Sequence, residues 1–533
     1  MEASPASSEH RSILRATLVT SFMTILARVV GLLREQVRGY YIGTGLESDA
    51  FGVASTIPNM LRRLFAEGAM TAAFVPVFTG LRAQGDHERL NRFYSGFMTL
   101  FVIGMAGVTL LGVLASGPIV QNLFAGRFAE VPGKVELTVS LTEAMFPYLF
   151  LVSIAAIVQA ALNSFHIFAP SAFTPVLLSG ANILVVVLFV DRFENAAWAL
   201  TVGFLAGGFL QMAFQVPFLR RTGIRFRPTL QGLHDPAVRE VVRIFLPGIL
   251  SAGIYQINVT VSQVIATSLD PGSVASLQFS LRLQELVLGV FAVSVATVIL
   301  PVMSEHAHRG DLPRLKATLR DSVGLLGFVT LPASAGLMIL AAPIVRLLFQ
   351  YGQFDESSTA MTTWALLFHA SGIFFIALYR NVVQVFYAQK DLKTPTWVAA
   401  GIMVLHVGLC YGLAIPLRHG GVALAGSLAA ALNAGWLFWI LRRRLGRLGG
   451  RWVARSLARI LAATALMSLG LGGVAATGWL DGERGLALAV RLFPVIAFGA
   501  GIYLAAAHAL HCRELHDLWD AMKRRVRSQA PRA

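Results

Sequence analysis

Fourteen apolar runs follow one another along this sequence, near residues 13–38, 47–80, 93–119, 137–163, 170–190, 196–219, 240–269, 273–303, 318–348, 358–388, 395–417, 420–441, 456–480 and 485–511. A helix that crosses a bilayer needs about 20 predominantly apolar residues. In hydrocarbon every backbone N–H and C=O must find an internal partner, so runs of this length are expected to be α-helices. Only 14% of the residues are charged, where a soluble domain carries about 25%. The expected fold is an all-α polytopic membrane protein with about 14 transmembrane helices.

The net charge of +16 would suggest nucleic acid in a soluble protein. Here its distribution gives another reading. An even number of spans puts both termini on one side. With that side cytoplasmic, its segments hold Arg11, Arg15, Arg82, Arg89, Arg92, the stretch from Arg220 to Arg243, Arg309 to Arg320, Lys390, Lys393, Arg442 to Arg459 and the basic tail from Arg513. The opposite connections hold only Arg127, Lys134, Arg192, Arg418 and Arg484, a bias of about six to one. Such a bias sets topology. It gives the basic runs a topogenic role and contact with anionic lipid headgroups, not a nucleic-acid role. Cys410 and Cys512 lie far apart and form neither a disulfide framework nor a metal spacing. The polar N-terminus lacks the features of a removed signal peptide, so the first span is expected to be retained.

A duplication is written into the chain. FVPVFTGLRAQGD at 74–86 matches ILPVMSEHAHRGD at 299–311, aligning Pro76 with Pro301 and Gly85–Asp86 with Gly310–Asp311 at an offset of 225. The same offset relates Pro170 to Pro395, and the LRR triplets at 219–221 and 441–443 follow at 222. The expected organisation is two pseudo-symmetric six-helix lobes, 1–225 and 226–447, followed by two C-terminal helices and a basic tail over 448–533. Parallel repeats of this kind place a substrate between the halves and work by alternating access. Prolines within the spans (Pro58, Pro76, Pro247, Pro301, Pro332) are expected to kink or break helices.

Charge inside the spans is concentrated in the first two. Arg28, Arg34 and Arg38 lie in the first, and Asp49, Arg62, Arg63 and Glu67 in the second. A charge at membrane depth costs at least about 2.5–3.5 kcal/mol, so such groups face a bundle interior or a wet cavity. Arg34 and Arg38 share a helix face, with Arg38 nearest the outer end and expected to snorkel outward. Asp49 opens its helix, where a carboxylate also suits the N-terminal dipole. Arg63 and Glu67 are spaced to pair, leaving Arg62 the freer cation. The eighth span holds Arg282 and Glu285 three apart, spaced to neutralise each other. Guanidinium forks match phosphate oxygens in pairs, so this set favours a diphosphate headgroup. No phosphate-binding G-x-x-x-x-G-K-[ST] loop, H-E-x-x-H or other metal cluster is present. Nothing in the sequence asks for an enzyme or a resident cofactor.

RVVGLLRE at 28–35, SDAFGVASTIPNMLRRLFAEGAMTAAFVPVF at 48–78 and DLKTP at 391–395 resemble the MurJ (MviN) family of lipid II flippases, within the multidrug/oligosaccharidyl-lipid/polysaccharide exporter superfamily. The resemblance implies movement of lipid II, an undecaprenyl-diphosphate-linked disaccharide pentapeptide, from the inner to the outer leaflet of the bacterial cytoplasmic membrane. It implies a central cationic cavity, with Arg28, Arg34, Asp49, Asn59, Arg62, Arg63 and Glu67 in or around it, and a groove involving the last two helices for the lipid tail. Arg282 and Glu285 match the family's eighth helix, although Leu281 stands where relatives often carry Asp or Asn. Asp391 and Lys393 match a cytoplasmic-side motif. Some members hold sodium in the second half, where Asn258 is a weak candidate ligand without an acidic partner on its helix. The coupling energy is left between the membrane potential and a monovalent ion. Membrane lipids and cell-wall synthesis proteins are the other partners implied. Two rival readings are an exporter of another lipid-linked oligosaccharide or of drugs, and a non-transporting scaffold acting through the basic loop at 220–243.

Overall fold

The structure, a computed structural model, describes residues 5–517 and 519. The side chains of residues 5–21, 66–69, 72, 233, 246–252, 254–255, 257–258 and 290–298 lie outside the described set. The chain forms two compact units.

The first unit runs through Ala275 and adds the short segment Tyr351–Phe354. It contains α1 (Pro5–Ile42), α2 (Leu46–Arg62), a π-helical turn over Arg63–Glu67, α3 (Gly68–Ala83), α4 (His87–Ile119), α5 (Lys134–Ser164), α6 (Ala169–Phe189), α7 (Ala196–Arg221) and α8 (Pro236–Thr267). Its core is built where α2, α5 and α7 meet: Phe51, Leu141, Met145, Tyr148, Leu200 and Phe204 are all buried. Small residues on α7 let α6 approach it. A Cβ on Gly203 would stand 2.7 Å from the Asn182 side chain, and one on Gly207 would stand 2.9 Å from the Leu178 backbone. Close approach through small residues is the usual way membrane helices gain packing energy, because lipid supplies no hydrophobic drive between them.

The second unit spans Ser276–Gln350 and continues from Asp355. It comprises most of α9 (Ser273–His308), then α10 (Leu312–Ile339), α11 (Ala341–Phe349), α12 (Glu356–Ser371), α13 (Ile373–Ala388), α14 (Lys393–Leu417), α15 (His419–Leu445), α16 (Gly450–Ala476) and α17 (Gly485–Ala509). The last two helices pack on each other, and α16 lies against α10. Tyr503 donates its hydroxyl to the Phe328 carbonyl at 2.6 Å, pinning α17 to α10.

The protein is an all-α multi-pass membrane protein, and helix covers each of the fourteen predicted spans. Among the described residues ten helical stretches are long and apolar enough to cross a membrane. The remaining predicted spans fall on α1, α2 to α3, α8 and α9, the first two of which carry the intramembrane arginines. Pro58, Pro76, Pro301 and Pro332 sit inside helices that continue past them, and the Pro247 side chain lies outside the described residues. The interruptions fall elsewhere, at the π turn of the second span, at Leu340 in the ninth and at Gly372 in the tenth.

The repeated sequence motif builds the same corner twice. Gly85 and Gly310 both take positive φ, 75° and 67°. Each is followed by an aspartate that caps the next helix: Asp86 accepts from the Arg89 amide at 2.9 Å, and Asp311 from the Arg314 amide at 3.0 Å. Glycine tolerates the left-handed conformation and aspartate satisfies an orphan helix donor, so this dipeptide makes a tight helix–helix turn.

Candidate functional site

The intramembrane charges of α1 are held by local pairing. Arg34 Nη2 lies 2.7 Å from Glu35 Oε1, and Arg38 Nη1 lies 3.7 Å from Glu35 Oε2. Glu35 is buried between the two guanidiniums. Arg34 also stands over the Phe204 ring, 5.2 Å from its centroid. Arg38 does not snorkel outward, as its position near the helix end suggested. It is buried, donates to the Ser48 carbonyl at 3.1 Å and the Ser48 hydroxyl at 3.2 Å, and stacks over Phe51. It thus fastens α1 to the first turn of α2. Arg28 is half-buried on the same helix.

Asp49 is placed differently from an open cavity group or a cap of its own helix. Its carboxylate is fully buried and meets Lys134 Nζ at 2.8 Å, with both side chains about 1% exposed. It also accepts the amides of Gly272 at 2.7 Å and Ala275 at 2.9 Å, so it caps α9 from outside that helix. Lys134, which the sequence reading counted only as an outside-loop charge, stands 3.8 Å from the Phe128 ring centroid. One buried cluster therefore joins the starts of α2, α5 and α9. The sequence shows only that both charges open a span on the same side, with Glu47 beside Asp49 and Glu136 beside Lys134.

Asn59 and Arg62 lie one turn apart at the end of α2, and Arg62 Nε donates to Asn59 Oδ1 at 3.3 Å. The π turn at Arg63–Glu67 follows directly. Such turns cost regular hydrogen bonding and occur often at functional sites. Arg63 is half-buried, while the Glu67 side chain lies outside the described residues, and with it the proposed Arg63–Glu67 pair. Arg62 lines a cavity of about 700 Å³ within the first unit, walled by α3, α5, α6 and α7.

In the second unit Arg282 and Glu285 form the expected pair at 2.9 Å on α9, both well exposed, as is the neighbouring Leu281. The Asn258 side chain lies outside the described residues. No group of three metal-ligating side chains occurs among the described residues. Asp391 and Lys393 stand at the turn between α13 and α14. Asp391 accepts from the Thr394 amide at 3.0 Å and hydroxyl at 2.6 Å, and from Arg444 Nη1 at 2.6 Å. Burial raises its pKa, but these donors outweigh it and hold the carboxyl at about 2. Lys393 is exposed.

The basic segment after α7 is a strap, which sequence reasoning missed. Asn91 on α4 donates to the Gly223 carbonyl at 3.2 Å and accepts the Arg225 amide at 2.8 Å. Ser95 donates to the Arg225 carbonyl at 3.2 Å and accepts the Arg227 amide at 3.1 Å, and Thr99 accepts the Thr229 amide at 3.0 Å. Two extended residues advance about 6.6 Å and four helical residues about 6 Å, so the two periods stay in register.

These arginine-bearing helices can be set beside known proteins. A model of the family described as lipid II flippase MurJ matches residues 39–478. The chain belongs to the MurJ lipid II flippase family. A probable lipid II flippase MurJ of Treponema pallidum (strain Nichols) is 35% identical over 440 residues, which is 81% of this chain and 82% of that protein. Among solved structures, a lipid II flippase MurJ in an inward closed conformation aligns with a TM-score of 0.76 at 24% identity, covering 93% of this chain and 99% of that one. A multidrug resistance MATE family transporter of the MOP superfamily, inward-facing, aligns with a TM-score of 0.66 at 16% identity, covering 81% and 99%. The last two likenesses establish the fold. The match to the MurJ family rests on sequence, and the matched range takes in Asp49, Asn59, Arg62, Arg63, Arg282 and the Asp391 turn.

Proposed function

We propose that this protein is a transporter that moves lipid II from the inner to the outer leaflet of the bacterial cytoplasmic membrane by alternating access. The carrying observation is the family match across residues 39–478, which includes the charged second span. The arginines supply the physical reason. Arg28 and Arg34 lie on α1, Arg62 ends α2 and Arg63 opens the π turn, all within predicted spans, and guanidinium is the side chain best suited to a diphosphate. In this reading two repeated six-helix lobes, 1–225 and 226–447, alternate about the substrate, and both termini face the cytoplasm.

The test is depletion of the protein in its host, followed by measurement of lipid II at the outer face with a lipid II-cleaving enzyme. Accessible lipid II is expected to fall while total lipid II rises. Complementation with Arg28→Ala or Arg34→Ala, at normal membrane levels, is expected to leave the accessible pool low. An unchanged pool on depletion would remove the substrate assignment, and full rescue by both variants would remove the arginines' role.

A further inference from the structure

The strap that follows α7 reaches further along α4 than a loop in water needs to. An apolar run without a charged residue begins at Phe93, directly after Arg92, and continues to Arg127. Thr99, the last rung of the ladder, stands six residues into that run, about 9 Å of helix rise. The headgroup layer beside the hydrocarbon is about 5–8 Å thick, so Thr99 marks the level where headgroups give way to acyl chains. Residues 93–99 of α4 are all buried, covered by Phe74 and Phe78 of α3 and by the strap. Asn91, Ser95 and Thr99 supply the strap's inner edge with the hydrogen bonds that water gives a loop in solution. Its tip is pressed home, because a Cβ on Gly96 would stand 2.7 Å from the Gly232 Cα.

The outer face of the strap has a different character. Phe226 and Leu230 are 45% and 61% exposed. Arg220, Arg221, Arg225 and Arg227 accompany them, all exposed, and no acid occurs between Glu194 and Asp235. Large apolar side chains set among cations suit a segment lying in the membrane interface, with the apolar groups at the acyl boundary and the cations at the phosphates. We propose that the strap is an interfacial anchor: Phe226 and Leu230 enter the cytoplasmic leaflet, and the arginines around them hold the phosphates of anionic phospholipids. The inference rests on the orientation proposed above and not on the substrate. Topogenic charge alone accounts for the arginines. It does not account for two large apolar side chains on the exposed face, or for a segment carried down to Thr99. An acidic soluble protein would also suit the arginines, but not a tip at that depth.

Spin labels on the exposed face test the depth without disturbing the fold. The buried Cys410 and Cys512 are replaced by alanine, and single cysteines are placed by Phe226→Cys, by Leu230→Cys and, as an aqueous control beyond the start of α4, by Gln84→Cys. The full-length protein is labelled in nanodiscs of phosphatidylcholine with phosphatidylglycerol. Relaxation by oxygen, which concentrates among acyl chains, is compared with relaxation by a water-soluble nickel chelate. Oxygen is expected to dominate at 226 and 230 and the chelate at 84. Dominance of the chelate at 226 and 230 would overturn the anchor and leave that face to solvent or to an acidic soluble partner. The arginines are tested on the unlabelled protein by amide exchange at 225–229. Exchange is expected to slow roughly fivefold when phosphatidylglycerol is added to phosphatidylcholine nanodiscs, the factor for one arginine at an anionic surface. Equal rates in the two membranes would overturn the assignment to anionic phospholipid.

Discussion

Replacing Lys134 with methionine leaves the Asp49 carboxylate buried with its counter-ion gone, and the size of the effect follows from the geometry. At 2.8 Å two unit charges attract by about 6 kcal/mol at an effective dielectric near 20. Desolvation of both ions offsets most of that, so the intact pair adds little net stability. Removing one partner strands the other and costs roughly 3–5 kcal/mol. Asp49 would keep the amides of Gly272 and Ala275, which puts Lys134→Met near 3 kcal/mol on that scale. The double variant Asp49→Asn/Lys134→Met strands no charge, and its new carboxamide oxygen still accepts one of those amides. Its cost is expected to be about 1–2 kcal/mol, for lost packing and one weaker hydrogen bond. The double variant should therefore be more stable than the single one. The assay is heating of the purified protein in detergent at one fixed rate, scored by the monodisperse fraction, because membrane proteins of this size unfold irreversibly. A double variant as unstable as Lys134→Met, or less stable, would show that no stranded charge was relieved and would refute the reasoning.

Other consequences follow from the same geometry. Gly232→Ala would put a Cβ 2.6 Å from the Gly96 backbone, so the strap should lift from α4 at a cost of about 1–3 kcal/mol, and trypsin should cleave after Arg225 several-fold faster. Unchanged cleavage would mean that the strap is already loose. The Asp391 carboxyl has a lowered folded pKa of about 2, so its contribution is fully present above the unfolded value near 3.9 and is lost as pH falls through about 2. Amide exchange at 391–395, corrected for intrinsic rate, should accordingly be constant between pH 5 and 8, while Asp391→Asn should raise it severalfold across that range. A pH-dependent rise in the wild type within that window would point to another titrating group. Glu35→Gln should weaken the hold on Arg34 and Arg38 and lower flipping less than Arg34→Ala does, measured by lipid II accessibility at matched protein levels. Loss equal to that of Arg34→Ala would make the carboxylate as important as the cation.

Apolar runs of bilayer length determine helices almost by themselves, so the fourteen spans could be read directly from the sequence. The Gly–Asp corner was equally readable, because each residue has a local backbone reason to be there. The breaks within spans were not. Proline suggested Pro58 and Pro76, yet the helix continues past both and departs from α geometry at Arg63–Glu67, where the sequence shows only charge. A membrane helix loses little at proline when neighbouring groups satisfy the freed carbonyl.

The charged residues divide along the same line. That Arg28, Arg34, Arg62 and Arg63 fall within predicted spans is read from the sequence alone. Which acid each one meets is not. Glu35 is adjacent to Arg34 and so would ordinarily point to another helix face, but long side chains let it bridge Arg34 and Arg38. Asp49 and Lys134 are 85 residues apart, and nothing local distinguishes their pairing from two helix-end charges in water. The buried polar groups of α5, α6 and α7 are further still from sequence reach. Asn163, Ser171, Gln211 and Gln215 are ordinary polar residues in apolar spans, which usually means interhelical hydrogen bonding. Only the structure shows that both glutamines spend their donors on backbone carbonyls and leave their oxygens over. Those donations tie α7 to α6 and to α5, so the amides hold the unit together through contacts that no local pattern announces.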